Sequence, residues 1–127
     1  MMYTQQEIVD KVWARLNDGT GQALQPFTGE SGMPLQVCSY LTDSGIKCAV
    51  GIFIPEGHDA QKFEGDVFSL LFQYEKDEVI NWMYKHKDLL YKLQSIHDLT
   101  SLWDETKFIG IDSFKDVCKD FGLKFPG

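Results

Sequence analysis

The sequence predicts an α+β fold, with an antiparallel β-hairpin or small sheet packed by four to five α-helices in a single domain over 1–127. Three observations carry this expectation. Glycine and proline are segregated: eight of the eleven glycines and three of the four prolines lie between Gly19 and Gly65, and neither residue occurs in Asp66–Ile109. Turns and strands therefore belong to the first half and helices to the second. Apolar residues also recur at helical spacing on both sides of the glycine-rich region. Finally, Gln36–Thr42 and Ile46–Ile54 flank Asp43-Ser44-Gly45, a connection that suits a hairpin with glycine in the left-handed position.

The first helix opens on Thr4-Gln5-Gln6-Glu7, a capping box in which threonine and glutamate satisfy each other's backbone donors. Ile8, Val9, Val12, Trp13 and Leu16 form its apolar stripe, with Asp10, Lys11 and Arg15 outside it. Asn17-Asp18-Gly19 ends it. From Thr20 to Pro34 the chain reads as a loop anchored by Leu24 and Phe27, with room for a short strand around them.

In the hairpin, the expected register sets Thr42 opposite Ile46, Tyr40 opposite Cys48 and Cys38 opposite Val50. One face then holds Cys38, Tyr40, Cys48, Val50 and Ile52 as core. The other is mixed, and its small residues Ala49 and Gly51 admit a close approach to the backbone. After Pro55-Glu56-Gly57-His58, a short helix runs from Val67 to Tyr74, and Val79–Tyr84 continues at helical spacing beyond a break near Lys76-Asp77. Leu89, Leu90, Leu93, Ile96 and His97 mark another helix. The last carries Phe114, Val117, Cys118 and Phe121, with Asp112 or Ser113 as cap and Gly122 as stop.

Nineteen acidic against twelve basic residues give a formal charge of −7. That balance argues against nucleic acid as a partner, because phosphate binding draws on lysine and arginine. Lys47 is the only basic residue between Leu16 and Gln61, and the C-terminal lysines alternate with acids. No apolar run is long enough to span a bilayer, no basic leader precedes an apolar stretch, and three cysteines suit a reducing compartment. The expected location is the cytoplasm.

Chemistry is sparse. Cys38, Cys48 and His58 lack the tight pair spacing of structural zinc, which favours buried free thiols. His97-Asp98 could serve a metal-dependent hydrolase together with His58, His86 or Cys48. Against that stands a structural role, in which His97 closes a helix and Asp98 caps the next turn. Nucleotide-binding glycine loops are missing. Phe68, Phe72, Tyr74, Trp82, Tyr84 and Tyr91 read as helix packing rather than as a stacking platform.

Cys38-Ser39-Tyr40, Gly45-Ile46-Lys47-Cys48-Ala49-Val50-Gly51 through Ile54-Pro55, Glu64-Gly65, Leu93-Gln94-Ser95-Ile96-His97-Asp98 and Trp103 together form a pattern. It resembles a group of small uncharacterised proteins of bacteriophages and bacteria, over roughly half of the chain. Ser44 and the lack of a tyrosine near His58 set this sequence apart from that group. The resemblance implies a phage or bacterial source and no mechanism. Small acidic phage proteins commonly act by stoichiometric binding, and this analogy points to a non-enzymatic protein that binds a host or phage protein or a small ligand. The expected binding residues are Lys47, Tyr40, His97, Asp98 and His58, with no cofactor. The alternatives are the hydrolase built on His97 and Asp98, and sequestration of a nucleotide-like ligand held by Lys47 between aromatic walls.

Overall fold

A computed structural model describes residues 3–28 and 34–127, with backbone only for 25–28 and 34–38. Helix α1 (Gln5–Leu16) carries the capping box in full: Glu7 N–H donates to Thr4 Oγ1 and Thr4 N–H donates to Glu7 Oε1. Strands β1 (Leu24–Thr28) and β2 (Pro34–Cys38) pair antiparallel, with Leu24 opposite Cys38 and Thr28 opposite Pro34. Helices α2 (Val67–Gln73), α3 (Lys87–Asp98) and α4 (Ile111–Asp120) come next. Between the last two lies a small hairpin, β3 (Trp103–Asp104) and β4 (Lys107–Phe108), turned by Glu105 at φ 56°. The molecule is thus an α+β fold of four α-helices and small antiparallel sheets among the described residues.

The hairpin expected over 36–54 forms only at its tip. Thr42 N–H donates to Ile46 O, Leu41 bridges Lys47, and Cys48 N–H reaches Tyr40 O, which is the anticipated register. Pairing then stops. Gly51–Phe53 coils into a 3₁₀ turn, and β2 takes β1 as its partner, so Cys38 lies opposite Leu24 instead of Val50. Because the chain coils, both predicted faces turn inward: Cys48, Ala49, Val50, Phe53 and Ile54 are all buried. Close approach does occur at Gly51, where an added Cβ would collide with the Tyr40 carbonyl oxygen. The neighbour that needs this glycine is the chain's own backbone.

Helix α3 is central, packed by α1, α2 and α4. Its stripe Leu89, Leu90, Leu93 and Ile96 is buried with Ile8, Val12 and Leu16 of α1 and Phe114 of α4. The segment Asn81–His86 is 3₁₀ rather than α. Neither Asp112 nor Ser113 caps α4; Gly110 holds that place without a side-chain bond. At its far end Gly122 (φ 66°) closes a Schellman motif, in which Gly122 N–H donates to Lys119 O and Leu123 N–H to Cys118 O.

Arg15 departs most from expectation. Its apolar neighbours put it outside the α1 stripe, yet its side chain is 6% exposed. The guanidinium donates to Lys47 O and to Gly21 O (2.7 Å) and pairs with Asp18 at 3.3 Å. Burial pulls its pKa down, with the Asp18 charge acting in the opposite sense. A planar five-donor fork meets two loop carbonyls and a carboxylate from three separate nitrogens, a spread that a compact ammonium with its donors on one atom does not match.

These contacts have two measurable consequences. Gly51→Ala forces the Tyr40 carbonyl aside and lowers stability by about 3 kcal/mol, read by urea unfolding; a change below about 0.5 kcal/mol would contradict the close approach. His86 is buried and neither ring nitrogen has a hydrogen-bond partner among the described residues. Burial, then the Lys85 charge, lowers its pKa; the Tyr3 backbone lies near enough to offset part of this but does not meet hydrogen-bond geometry with either ring nitrogen. Below about pH 6.5 the unfolded chain therefore binds the proton first, so stability falls with pH until the folded imidazole is protonated too. His86→Phe should flatten that part of the pH-stability curve, and parallel curves would exclude the assignment.

Candidate functional site

The imidazole of His97 is fully buried in α3. Ala23 N–H donates to Nε2 at 3.0 Å, so the ring hydrogen is on Nδ1, which donates to Asp98 Oδ1 at 2.9 Å. The same carboxylate oxygen accepts Gln94 Nε2 at 2.8 Å, and Gln94 Oε1 accepts Val50 N–H at 3.0 Å. The His97 carbonyl takes Trp103 Nε1–H (2.9 Å) and Gln22 Nε2–H (3.0 Å). Positions 94, 97 and 98 share one side of a helix, and from there they satisfy backbone donors of two separate loops. Asp98 does not cap the next turn, contrary to expectation; its acceptor faces back along its own helix.

The other expected binding residues lie apart. Lys47 Nζ pairs with Glu56 at 3.1 Å, and its side chain is 25% exposed, so it is not an isolated cation. His58 Nδ1 accepts Ala60 N–H and Nε2 donates to Asp77 Oδ2 at 2.9 Å, tying the turn Asp59–Lys62 to the break before Asn81. Asp77 is held below the usual carboxylate range, first by Val79 N–H; burial opposes this, and the His58 bond and charge and Ile80 N–H add to the lowering. Tyr40 is buried and its hydroxyl donates to Gly65 O at 2.9 Å.

Cysteine chemistry is muted in the interior. Cys48 and Cys118 are free and buried. Burial pushes the Cys48 thiol up to about 12, although Gly51 N–H donates to its sulfur at 3.2 Å. A thiol held protonated in this way is a poor nucleophile. The side chain of Cys38 lies outside the described residues. Among those residues no three His, Cys, Asp or Glu side chains converge as a metal shell.

Two concavities meet on the α2–α3 face. One is a cleft of about 150 Å³ bounded by Tyr40, Gly65, Asp66, Tyr91, Gln94 and Asp98. Asp66 caps α2 by accepting Ser69 N–H at 2.7 Å, which holds its carboxyl below the ordinary range. Asp98 is 41% exposed, and only its Oδ1 has a hydrogen-bond partner among the described residues. The Tyr40 phenol is pushed far above its ordinary pKa, first by burial and then by negative groups that include Asp98 and Asp66. The cleft floor is therefore neutral and its mouth is anionic.

The second is a broader groove of about 560 Å³ along Phe63, Phe68, Phe72, Tyr84 and Lys87. Phe72 is 69% exposed, and Phe68, Tyr84 and Tyr91 are each between 38% and 41% exposed. Phe68 stacks on Tyr91 with centroids 4.5 Å apart and planes 15° from parallel, and this pair forms the ridge between groove and cleft. Lys87 Nζ sits 4.9 Å from the Tyr84 ring centroid. The packing role expected for these aromatics holds for Tyr74 and Trp82, which pack on the core, and fails for the other four. Phe68 and Phe72 on α2 and Tyr91 on α3 lie off the buried stripes of their helices, a signal present in the spacing, and Tyr84 lies on the 3₁₀ segment between those helices.

The polar network couples these features to stability. Gln94→Leu strands Val50 N–H, and His97→Phe strands Ala23 N–H; each should lower stability by about 2 kcal/mol in urea unfolding. Through their shared Asp98 acceptor the double variant should lose less than the sum, whereas strict additivity would dissolve the network. Comparison with models of protein families, with curated proteins and with solved structures finds no match to this chain.

Proposed function

We propose that the chain is a small acidic cytoplasmic binding protein, of phage or bacterial origin, that acts by stoichiometric association with a protein partner rather than by turnover. The carrying observation is the exposed aromatic surface of Phe68, Phe72, Tyr84 and Tyr91 beside an acidic cleft. Solvated aromatic groups cost free energy that a partner recovers by covering them, and aromatic side chains dominate the energetics of protein interfaces. A broad, open groove suits a protein surface better than a small molecule, which favours enclosure. No helix of the described residues is long and apolar enough to cross a membrane.

Commitment of the reactive side chains supports the same reading. His97 and His58 have both ring nitrogens hydrogen-bonded, and the Cys48 thiol is protonated in the interior. Hydrolysis through His97 and Asp98 would require breaking the bond to Ala23 and opening the core around Trp103. A nucleotide held by Lys47 would need the lysine between aromatic walls, and it is Lys87 that lies on the groove while Lys47 pairs with Glu56.

The test is substitution of the most exposed ring. Phe72→Asp should leave thermal unfolding unchanged within about 0.5 kcal/mol, because the side chain is already in solvent. Native mass spectrometry of tagged protein recovered from its source cells should show a near one-to-one adduct for the wild type and none for the variant. Equal adducts would move the interface elsewhere, and no adduct on the wild type would remove the binding reading.

A further inference from the structure

We infer that the cleft beside the aromatic groove receives an arginine side chain of the partner, with the partner's neighbouring apolar residues lying along Phe68, Phe72 and Tyr84. This rests on the binding reading above and names the chemistry of what is bound. Volume comes first. About 150 Å³ is the size of a cavity that holds a benzene ring, so it accepts a planar guanidinium and part of its methylene stem, and is too small for a nucleoside.

Charge comes second. Asp66 and Asp98 line the cleft from different elements, the start of α2 and the end of α3. Asp66 is already bonded to Ser69, whereas the bonds of Asp98 all fall on Oδ1 and leave Oδ2 without a hydrogen-bond partner among the described residues. The remaining polar lining is Ser39, Tyr40, Gln94 and Ser95. The hydroxyl hydrogens of Ser39, Tyr40 and Ser95 are already given to Leu41 O, Gly65 O and Tyr91 O, which leaves their oxygens as acceptors, and the Tyr91 ring forms one wall. A guanidinium has five donors in a plane and an aromatic-stacking face, which matches two separated carboxylates with a tyrosine wall. An ammonium is a point charge and cannot serve both carboxylates with equal geometry. The formal charge of −7 adds long-range attraction for a basic partner.

Continuity comes third. Tyr91 lines the cleft while its stacking partner Phe68 lines the groove, so a cation in one and apolar groups on the other are within reach of one short segment. Such a pairing of an arginine anchor with apolar contacts recurs where interfaces are tight.

The experiment pans a random linear peptide library against the full chain, with an unrelated acidic protein as counter-selection. Enriched peptides should carry an arginine beside aromatic or aliphatic residues. Asp66→Asn with Asp98→Asn removes both charges and keeps the fold, since asparagine caps a helix equally well and its carbonyl oxygen still accepts from Gln94 and His97. Binding of an enriched peptide to that double variant, by calorimetry, should be about tenfold weaker, as should binding of the peptide with norleucine for arginine to the wild type. Peptides that lack arginine, or whose affinity survives the double variant yet is lost in Phe72→Asp, overturn the arginine assignment and leave the binding reading standing. No enrichment over the acidic control overturns both.

Discussion

The bond from Ala23 N–H to His97 Nε2 is the interaction on which most of this architecture depends. Between α1 and α2 the described residues form strands, turns and 3₁₀ segments that bond many of their backbone groups among themselves, but the amides of Ala23 and Val50 find their acceptors on α3. Buried amides in such a stretch need acceptors, and leaving one unmade costs about 1–3 kcal/mol. Helix α3 provides them from its core-facing side, His97 for Ala23 and Gln94 for Val50, while the His97 carbonyl takes the side-chain donors of Trp103 and Gln22. Asp98 then holds Gln94 and His97 in the orientations that make those acceptors available.

Arg15 solves the opposite half of the same problem. Where α3 offers acceptors to loop N–H groups, Arg15 offers donors to the loop carbonyls of Gly21 and Lys47. The loops are thus clamped from two helices with complementary polarity, which explains a charged side chain in the interior. A charge without these carbonyls would be costly there, and with them it is compensated. Gly51 completes the clamp by letting the Tyr40 carbonyl lie against the turn. Fixing Tyr40 there fixes the floor of the cleft, because its hydroxyl also reaches Gly65 at the entry to α2.

Local signals in the sequence were reliable where a single element answered for itself. The Thr4–Glu7 capping box, the Gly122 stop and the register across Asp43-Ser44-Gly45 are all realised, since each is decided by residues a few positions apart. What failed was decided at a distance. Alternation at 46–54 resembles a strand, but β2 is claimed by β1 and the later segment has nothing left to pair with, so it coils. Arg15 looks solvated on a helical wheel, and its burial depends on carbonyls at Gly21 and Lys47. The site suffered most from this: Lys47, His58 and His97 look reactive in isolation, and each owes its structural role to a partner such as Glu56, Asp77 or Ala23 that spacing does not reveal.

The same reasoning separates scaffold from surface within the motif pattern. Cys48, Gly51, Gln94, His97, Asp98 and Trp103 all belong to the clamp or to its immediate support. Ser39, Tyr40, Gly65, Gln94, Ser95 and Asp98 of the pattern border the cleft, and Phe68, Phe72, Tyr84 and Tyr91 lie outside the pattern altogether. Of the cleft walls, Tyr40 and Gln94 are buried and tied down by the bonds to Gly65 O and from Val50 N–H. The exposed rings of the groove, Phe68 and Phe72 on α2 and Tyr84 on the 3₁₀ segment, have no such ties, and their side chains can change at little cost to the core. On the proposed binding reading, the cleft would take the charged group and the aromatic surface the apolar ones, so that charge and shape are read by separate parts of one face.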